Sequence, residues 1–118
     1  MRSRKIRITN HAILRYRQRI SDTMDVEVIK MQIKEELCSS ETRWILMNKL
    51  PKEIFPHLSL RGRPGGLIAF NLKSGVLFKI HFEKKDNKYI VASVDKIDGV
   101  LRDALEDLIL KRGKQFVL

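Results

Sequence analysis

The sequence predicts an α+β fold: N-terminal helices packed on one face of a small antiparallel β-meander, with a C-terminal helix. Three observations carry the prediction. Apolar residues recur at three-and-four spacing from His11 to Leu37 and again from Val100 to Ile109. Between residues 67 and 97 the apolar period switches to two. Short turn-forming stretches separate the alternating runs. At 118 residues, with 43% hydrophobic and 32% charged residues, the chain reads as one globular domain over residues 1–118. It carries no internal repeat, low-complexity tract or linker.

Taken in order, residues 5–9 alternate weakly and predict a short first strand. Thr9 or Asn10 then offers a side-chain oxygen to cap a helix beginning at His11. In that helix Ile13, Tyr16 and Ile20 form the apolar stripe. His11, Arg15 and Arg19 are four apart, so they lie near one line on the other side, advancing about 40° per step. Ser21, Asp22 and Thr23 end this helix and cap the next. From Met24 to Leu37, Val26, Ile29, Ile33 and Leu37 form a second stripe, while Glu27, Lys30, Lys34 and Glu35 alternate in sign as a solvated scaffold face does.

Residues 38–60 have no clear period. Trp44, Ile45, Leu46 and Met47 fit a short strand or a buried turn, and Pro51 and Pro56 deny a long element between them. His57, beside Pro56, reads as incidental. Residues 61–66 read Arg-Gly-Arg-Pro-Gly-Gly, a hinge-like loop without the lysine of a phosphate-binding loop. It is either a flexible connection or a cationic arm that closes on a backbone phosphate through Arg61 and Arg63.

Alternating runs at 67–72, 76–83 and 89–97, with turns at 73–75 and 84–88, predict two successive hairpins. Pairing Phe70 with Phe78 and Phe82 with Ile90 puts Ile68, Phe70, Leu72, Val76, Phe78, Ile80, Phe82, Ile90, Ala92 and Val94 on one core face. The opposite face then holds Ala69, Asn71, Lys79, His81, Val91, Ser93 and Asp95, with Ser93 across from Lys79. Asp98 caps a last helix from Gly99 to Leu110, which Gly113 ends. Residues 114–118 form an edge strand or trail away.

Charge narrows the function classes. Lys and Arg number 24 against 14 Asp and Glu, a formal net charge of +10. Arg2, Arg4, Lys5, Arg7, Arg15, Arg17 and Arg19 crowd the first nineteen positions with no acidic residue among them. A surface helix that stabilises itself interleaves both signs, so these cations call for an anionic partner, RNA or DNA first. No apolar run approaches the roughly 20 residues of a spanning helix, and the N-terminus lacks the apolar core of a secretory signal. The expectation is a cytoplasmic protein that does not engage membrane. Cys38 is the single cysteine, which excludes an internal disulfide and reads as a buried or incidental thiol. With no clustered carboxylates and no His/Cys pairs at ligand spacing, no metal and no cofactor are expected.

The order strand, helix, helix, meander, the Thr9-Asn10-His11-Ala12 opening with Arg15 and Arg19 after it, and the Val91-Ala92-Ser93-Val94 segment together resemble a small bacterial family catalogued as a domain of unknown function and related to RelE-type toxins. The resemblance implies the barnase, EndoU, colicin and RelE group of folds, whose members cut RNA without metal. It implies RNA, ribosome-associated RNA included, as a partner, and an antitoxin or immunity protein as another. It carries the family's helix histidine onto His11, its arginine onto Arg15 or Arg19, and its strand Ser/Thr onto Ser93. The 61–66 loop and the C-terminal helix depart from the family pattern, and that helix is available to a partner.

The sequence therefore predicts an RNA-binding, toxin-like protein, a metal-independent endoribonuclease acting by 2'-hydroxyl attack on the neighbouring phosphorus. The candidate catalytic residues are His11 and His81 for proton transfer, Arg15, Arg19 and Lys79 for charge stabilisation, and Ser93. Candidate nucleic-acid contacts are Arg4, Lys5, Arg7, Arg15, Arg19, Arg61, Arg63 and Lys79. Two alternatives stay open: a non-catalytic nucleic-acid-binding protein, and a small regulatory protein of a phage or mobile element that binds an acidic protein surface. Most phenylalanines fall at core parity, so base-stacking recognition of single strands is not expected.

Overall fold

The computed structural model describes residues 5–22, 25–52, 54 and 66–112. Over them the chain runs β1 (Lys5–Ile8), α1 (Asn10–Arg19), α2 (Val26–Cys38), β2 (Arg43–Leu46), a 3-10 turn (Met47–Lys49), β3 (Gly66–Asn71), β4 (Val76–Glu83), β5 (Lys88–Lys96) and α3 (Gly99–Arg112). The α+β class and the helix-helix-meander-helix order are as the sequence predicts. Residues 61–65, with Arg61 and Arg63, the N-terminal Arg2 and Arg4, His57, and residues 113–118 lie outside the described residues.

The three predicted strands β3, β4 and β5 form the antiparallel meander, and two more strands extend it to a five-stranded sheet of order β1-β5-β4-β3-β2. β2 pairs antiparallel with β3, so the segment around Trp44 is a strand followed by a turn. β1 pairs parallel with β5, Lys5 opposite Lys88 through Ile8 opposite Val91. β5 runs on past the end of β1, and α1 occupies the space beside its remaining edge. The junction is a cap: Thr9 Oγ1 accepts from the Ala12 amide at 3.1 Å, satisfying one of the orphan N–H groups of the first turn. The same hydroxyl lies 3.0 Å from the Val91 carbonyl and 3.3 Å from that of Ala92, while the Thr9 amide donates to Val91 O at 3.2 Å.

The expectation of one apolar face is corrected. The sheet is buried on both sides, because α1 and α2 cover one face and α3 covers the other. Ala12, Ile13 and Tyr16 of α1 and Ile29, Ile33 and Leu37 of α2 pack with Trp44, Leu67, Ala69, Phe78, Ile80, Tyr89, Val91 and Val94. Leu101, Leu105 and Leu108 of α3 pack with Ile45, Ile68, Phe70, Leu77 and Ile97. Asp98 caps α3 as predicted, its Oδ1 accepting from the Leu101 amide at 2.7 Å. Cys38, the last residue of α2, is exposed rather than buried.

The reason lies in register. The β3–β4 turn closes on an Asn71–Val76 pair, with Gly75 supplying the positive φ of 74° that other residues resist. Phe70 therefore faces Leu77, and Phe78 faces Ala69, one residue away from the predicted pairing. A slip of one exchanges the two faces of a strand. The β4–β5 hairpin likewise starts one residue off, with Phe82 opposite Tyr89. The shift between Lys79 and Ile80 then restores the predicted register: Ile80 faces Val91, but Lys79 faces Ser93. Ala92 is the extra residue of this β-bulge, and beyond it Ser93 and Asp95 fall on the α3 side of the sheet.

Candidate functional site

The bulge decides what this end of the α3 face presents. On β4 the residues of that face are Leu77, Lys79 and His81; Leu77 is covered by α3, Lys79 is half-buried, and His81 is exposed. On β5 the same face carries Ile90, then Ser93 and Asp95 after the bulge. β1 adds to it. Ile6 and Ile8 turn toward α1 and α2, so Lys5 and Arg7 project to the other side, where both are exposed. Arg7 pairs with Ile90, and Ile90 with His81, which sets arginine, isoleucine and histidine along one row across three strands.

α1 contributes from the edge. His11, Arg15 and Arg19 lie along one side of the helix as their spacing predicts, and Ala12, Ile13 and Tyr16 are buried on the other. Arg15 Nε donates to His11 Nε2 at 3.4 Å and Nη1 to Gln18 Oε1 at 3.1 Å. Arg19, at the end of α1, reaches the bare edge of β5: Nη1 donates to the Val94 carbonyl at 2.8 Å and forms an ion pair with Asp95 Oδ1. The second oxygen, Asp95 Oδ2, lies 3.2 Å from Lys79 Nζ. Asp95 thus joins the helix cation to the strand cation.

These side chains are partly removed from water. The side chains of Lys79 and Asp95 keep only 17% and 14% of their exposure, and Arg19 keeps 32%. Burial, followed by the charges of Arg19 and Arg15, holds the Lys79 ammonium below its ordinary range. Burial, and then Arg15, does the same to Arg19. Arg15, Arg19 and Lys79 therefore feel one another, and Asp95 is a carboxylate that two of them contact.

Of the sequence candidates, Arg15, Arg19, Lys79 and Ser93 come together here, with His11 joined through Arg15 and His81 two positions from Lys79 on the same face. Lys5 and Arg7 flank them on β1. Arg4, Arg61 and Arg63 lie outside the described residues. Asp95 was placed on this face by its parity, yet nothing local marked it as a partner of Arg19. A described cavity of about 290 Å³ lies elsewhere, between Pro51 and Ile54 and the α3 residues Ala104 and Leu108, and holds none of these groups. No helix among the described residues is long and apolar enough to cross a membrane.

No family model and no curated protein matches the chain, so the resemblance to the domain-of-unknown-function family has no matching model behind it. Among solved structures, the chain is similar to the isolated RelE toxin of E. coli in its P21 crystal form, at 18% sequence identity over 90% of this chain and 99% of that one, with a TM-score of 0.44.

Proposed function

We propose that this protein is an RNA-binding, toxin-like protein that seats the ribose-phosphate backbone where the cationic side of α1 meets β4 and β5, and cleaves it without a metal. One observation carries the reading: Arg19 from the helix and Lys79 from the sheet converge on Asp95 with Arg15 close enough to act on both, so that among these described residues the cations outnumber the carboxylate on a partly desolvated surface. Lys5 and Arg7 extend that surface along β1. Such a field attracts a polyanion, and desolvation strengthens its hold on each phosphate.

In the proposed reaction the ribose 2'-oxygen bonds to the adjacent phosphorus while the bond to the 5'-oxygen breaks, leaving a 2',3'-cyclic phosphate and a free 5'-hydroxyl. One of His11 and His81 removes the 2'-proton and the other protonates the departing oxygen. His11 Nε2, an acceptor toward Arg15, is the atom suited to removing a proton. Arg15, Arg19 and Lys79 stabilise charge on the phosphorane, and Ser93 hydrogen-bonds a phosphate oxygen from the strand beside Lys79. Single His11→Ala and His81→Ala variants are expected to lose roughly 10²–10⁴-fold in cleavage of a generic RNA, with RNA affinity nearly kept. Full cleavage by both variants refutes the assignment.

A second reading has its own observation. Asp95 already neutralises part of the charge on Arg19 and Lys79, which suits a surface that binds nucleic acid and does no chemistry on it. That protein shows steep salt dependence and releases no product. A cyclic phosphate end on the RNA separates the two.

A further inference from the structure

Asp95 is the member of this cluster whose charge opposes a polyanion, and its position is informative. One oxygen lies against Arg19 and the other 3.2 Å from Lys79 Nζ, a two-point contact that the non-bridging oxygens of a phosphate are also able to make. We propose that Asp95 is an internal competitor for the anion position between Arg19 and Lys79, occupying it until a backbone phosphate displaces the carboxylate. The inference rests on the RNA-binding reading above and assigns Asp95 a positioning role, acting through the two cations.

Arg19 does not depend on Asp95 alone for its place, and the backbone of Lys79 is fixed by the sheet. Arg19 has a second anchor in the Val94 carbonyl at 2.8 Å, and Lys79 sits mid-strand between Ile68 and Ser93. When the carboxylate swings away, the site it leaves keeps that anchor and that strand. Asp95 is itself incompletely satisfied: Oδ2 is buried, and among the described residues it accepts no aligned hydrogen bond beyond its ion pair with Lys79. A carboxylate held this way is cheaper to displace than one with a full set of donors. Its single charge is set against the two cations it contacts, and Arg15 lies close enough to act on both of them.

A counter-ion that merely holds the site together predicts the opposite behaviour. If Asp95 served only to fix Arg19 and Lys79, Asp95→Asn would loosen them and weaken binding. If it competes with phosphate, the same change strengthens binding and makes it more salt-sensitive.

The experiment measures the affinity of the full chain for a short labelled oligouridylate RNA across a series of KCl concentrations. Asp95→Asn is expected to bind several-fold tighter, with log K against log[KCl] steeper by about 0.7–1.4, one or two extra phosphate contacts at roughly 0.7 each. Asp95→Glu is expected to restore the wild-type slope. An Asp95→Asn chain that is folded and binds no tighter, on an unchanged slope, overturns the proposal. Should Asp95→Asn fail to fold, the Asp95 side-chain carboxyl carbon resonance in the wild-type protein decides. Movement on adding RNA supports displacement, and a resonance that stays still while the Arg15 amide shifts overturns it. Failure of the RNA-binding reading has a different signature: the wild-type chain then binds the oligonucleotide at no salt concentration, whatever stands at position 95.

Discussion

Thr9 ties three pieces of backbone together through one hydroxyl. It caps α1 at the Ala12 amide and lies against the carbonyls of Val91 and Ala92 at the bulge. An N-cap threonine contributes about 1 kcal/mol, and here its removal also takes the hydroxyl donor from the strand carbonyls at the bulge, leaving Val91 O the Thr9 amide. Thr9→Ala is expected to cost roughly 1–2 kcal/mol in chemical denaturation, and Thr9→Ser to recover most of it. An unchanged midpoint in Thr9→Ala means the cap is not what holds α1 to β5. The same scale explains why His11 and Arg15 were legible in the sequence. Their meeting depends only on helical spacing, a local property. The meeting of Arg19 with Asp95 joins residues 76 positions apart in the chain and depends on α1 lying beside the free edge of β5, which no local pattern encodes.

At the scale of elements, the three helices and the meander were readable from period and caps, and the faces of the strands were not. Leu67-Ile68-Ala69-Phe70 is buried at every position, a continuous apolar run of the kind seen in strands covered on both sides. Reading one parity as core set aside Leu67, Leu77 and Val91, which belong to it equally. The helix beginning at Gly99 carries the signal for the second face, since its own apolar stripe needs a sheet face to cover. α3 is thus a structural half of the sheet's burial. Leu105 is fully buried in it, and Leu105→Ala is expected to destabilise the fold by about 2–5 kcal/mol in equilibrium unfolding. A loss below about 1 kcal/mol would place α3 outside the cooperative unit.

For the whole molecule, a net charge of +10 on 118 residues means that folding gathers like charges. Raising NaCl from about 0.05 to about 0.5 M shortens the screening length to roughly 4–5 Å, and the melting temperature is expected to rise by several degrees. Sulfate at matched ionic strength is expected to raise it further by filling the cationic site, and Arg15→Ala to lose most of that excess. An Arg15→Ala chain that keeps the full sulfate increment assigns the effect to general salt exclusion rather than to a site.

The bulge at Ala92 separates two things that usually come together in a protein of this size. Excising Ala92 would leave Ile80 opposite Val91 and Lys79 opposite Ser93 as successive rungs of an unbroken ladder, so the sheet tolerates the deletion. What disappears is one of the two strand carbonyls that Thr9 reaches, and with it one of the contacts that seat the helix carrying His11, Arg15 and Arg19, while those to Val91 remain. A single codon thus tunes how the basic helix is hinged to its platform while the platform stays whole, giving selection a route to vary the instrument without rebuilding the bench.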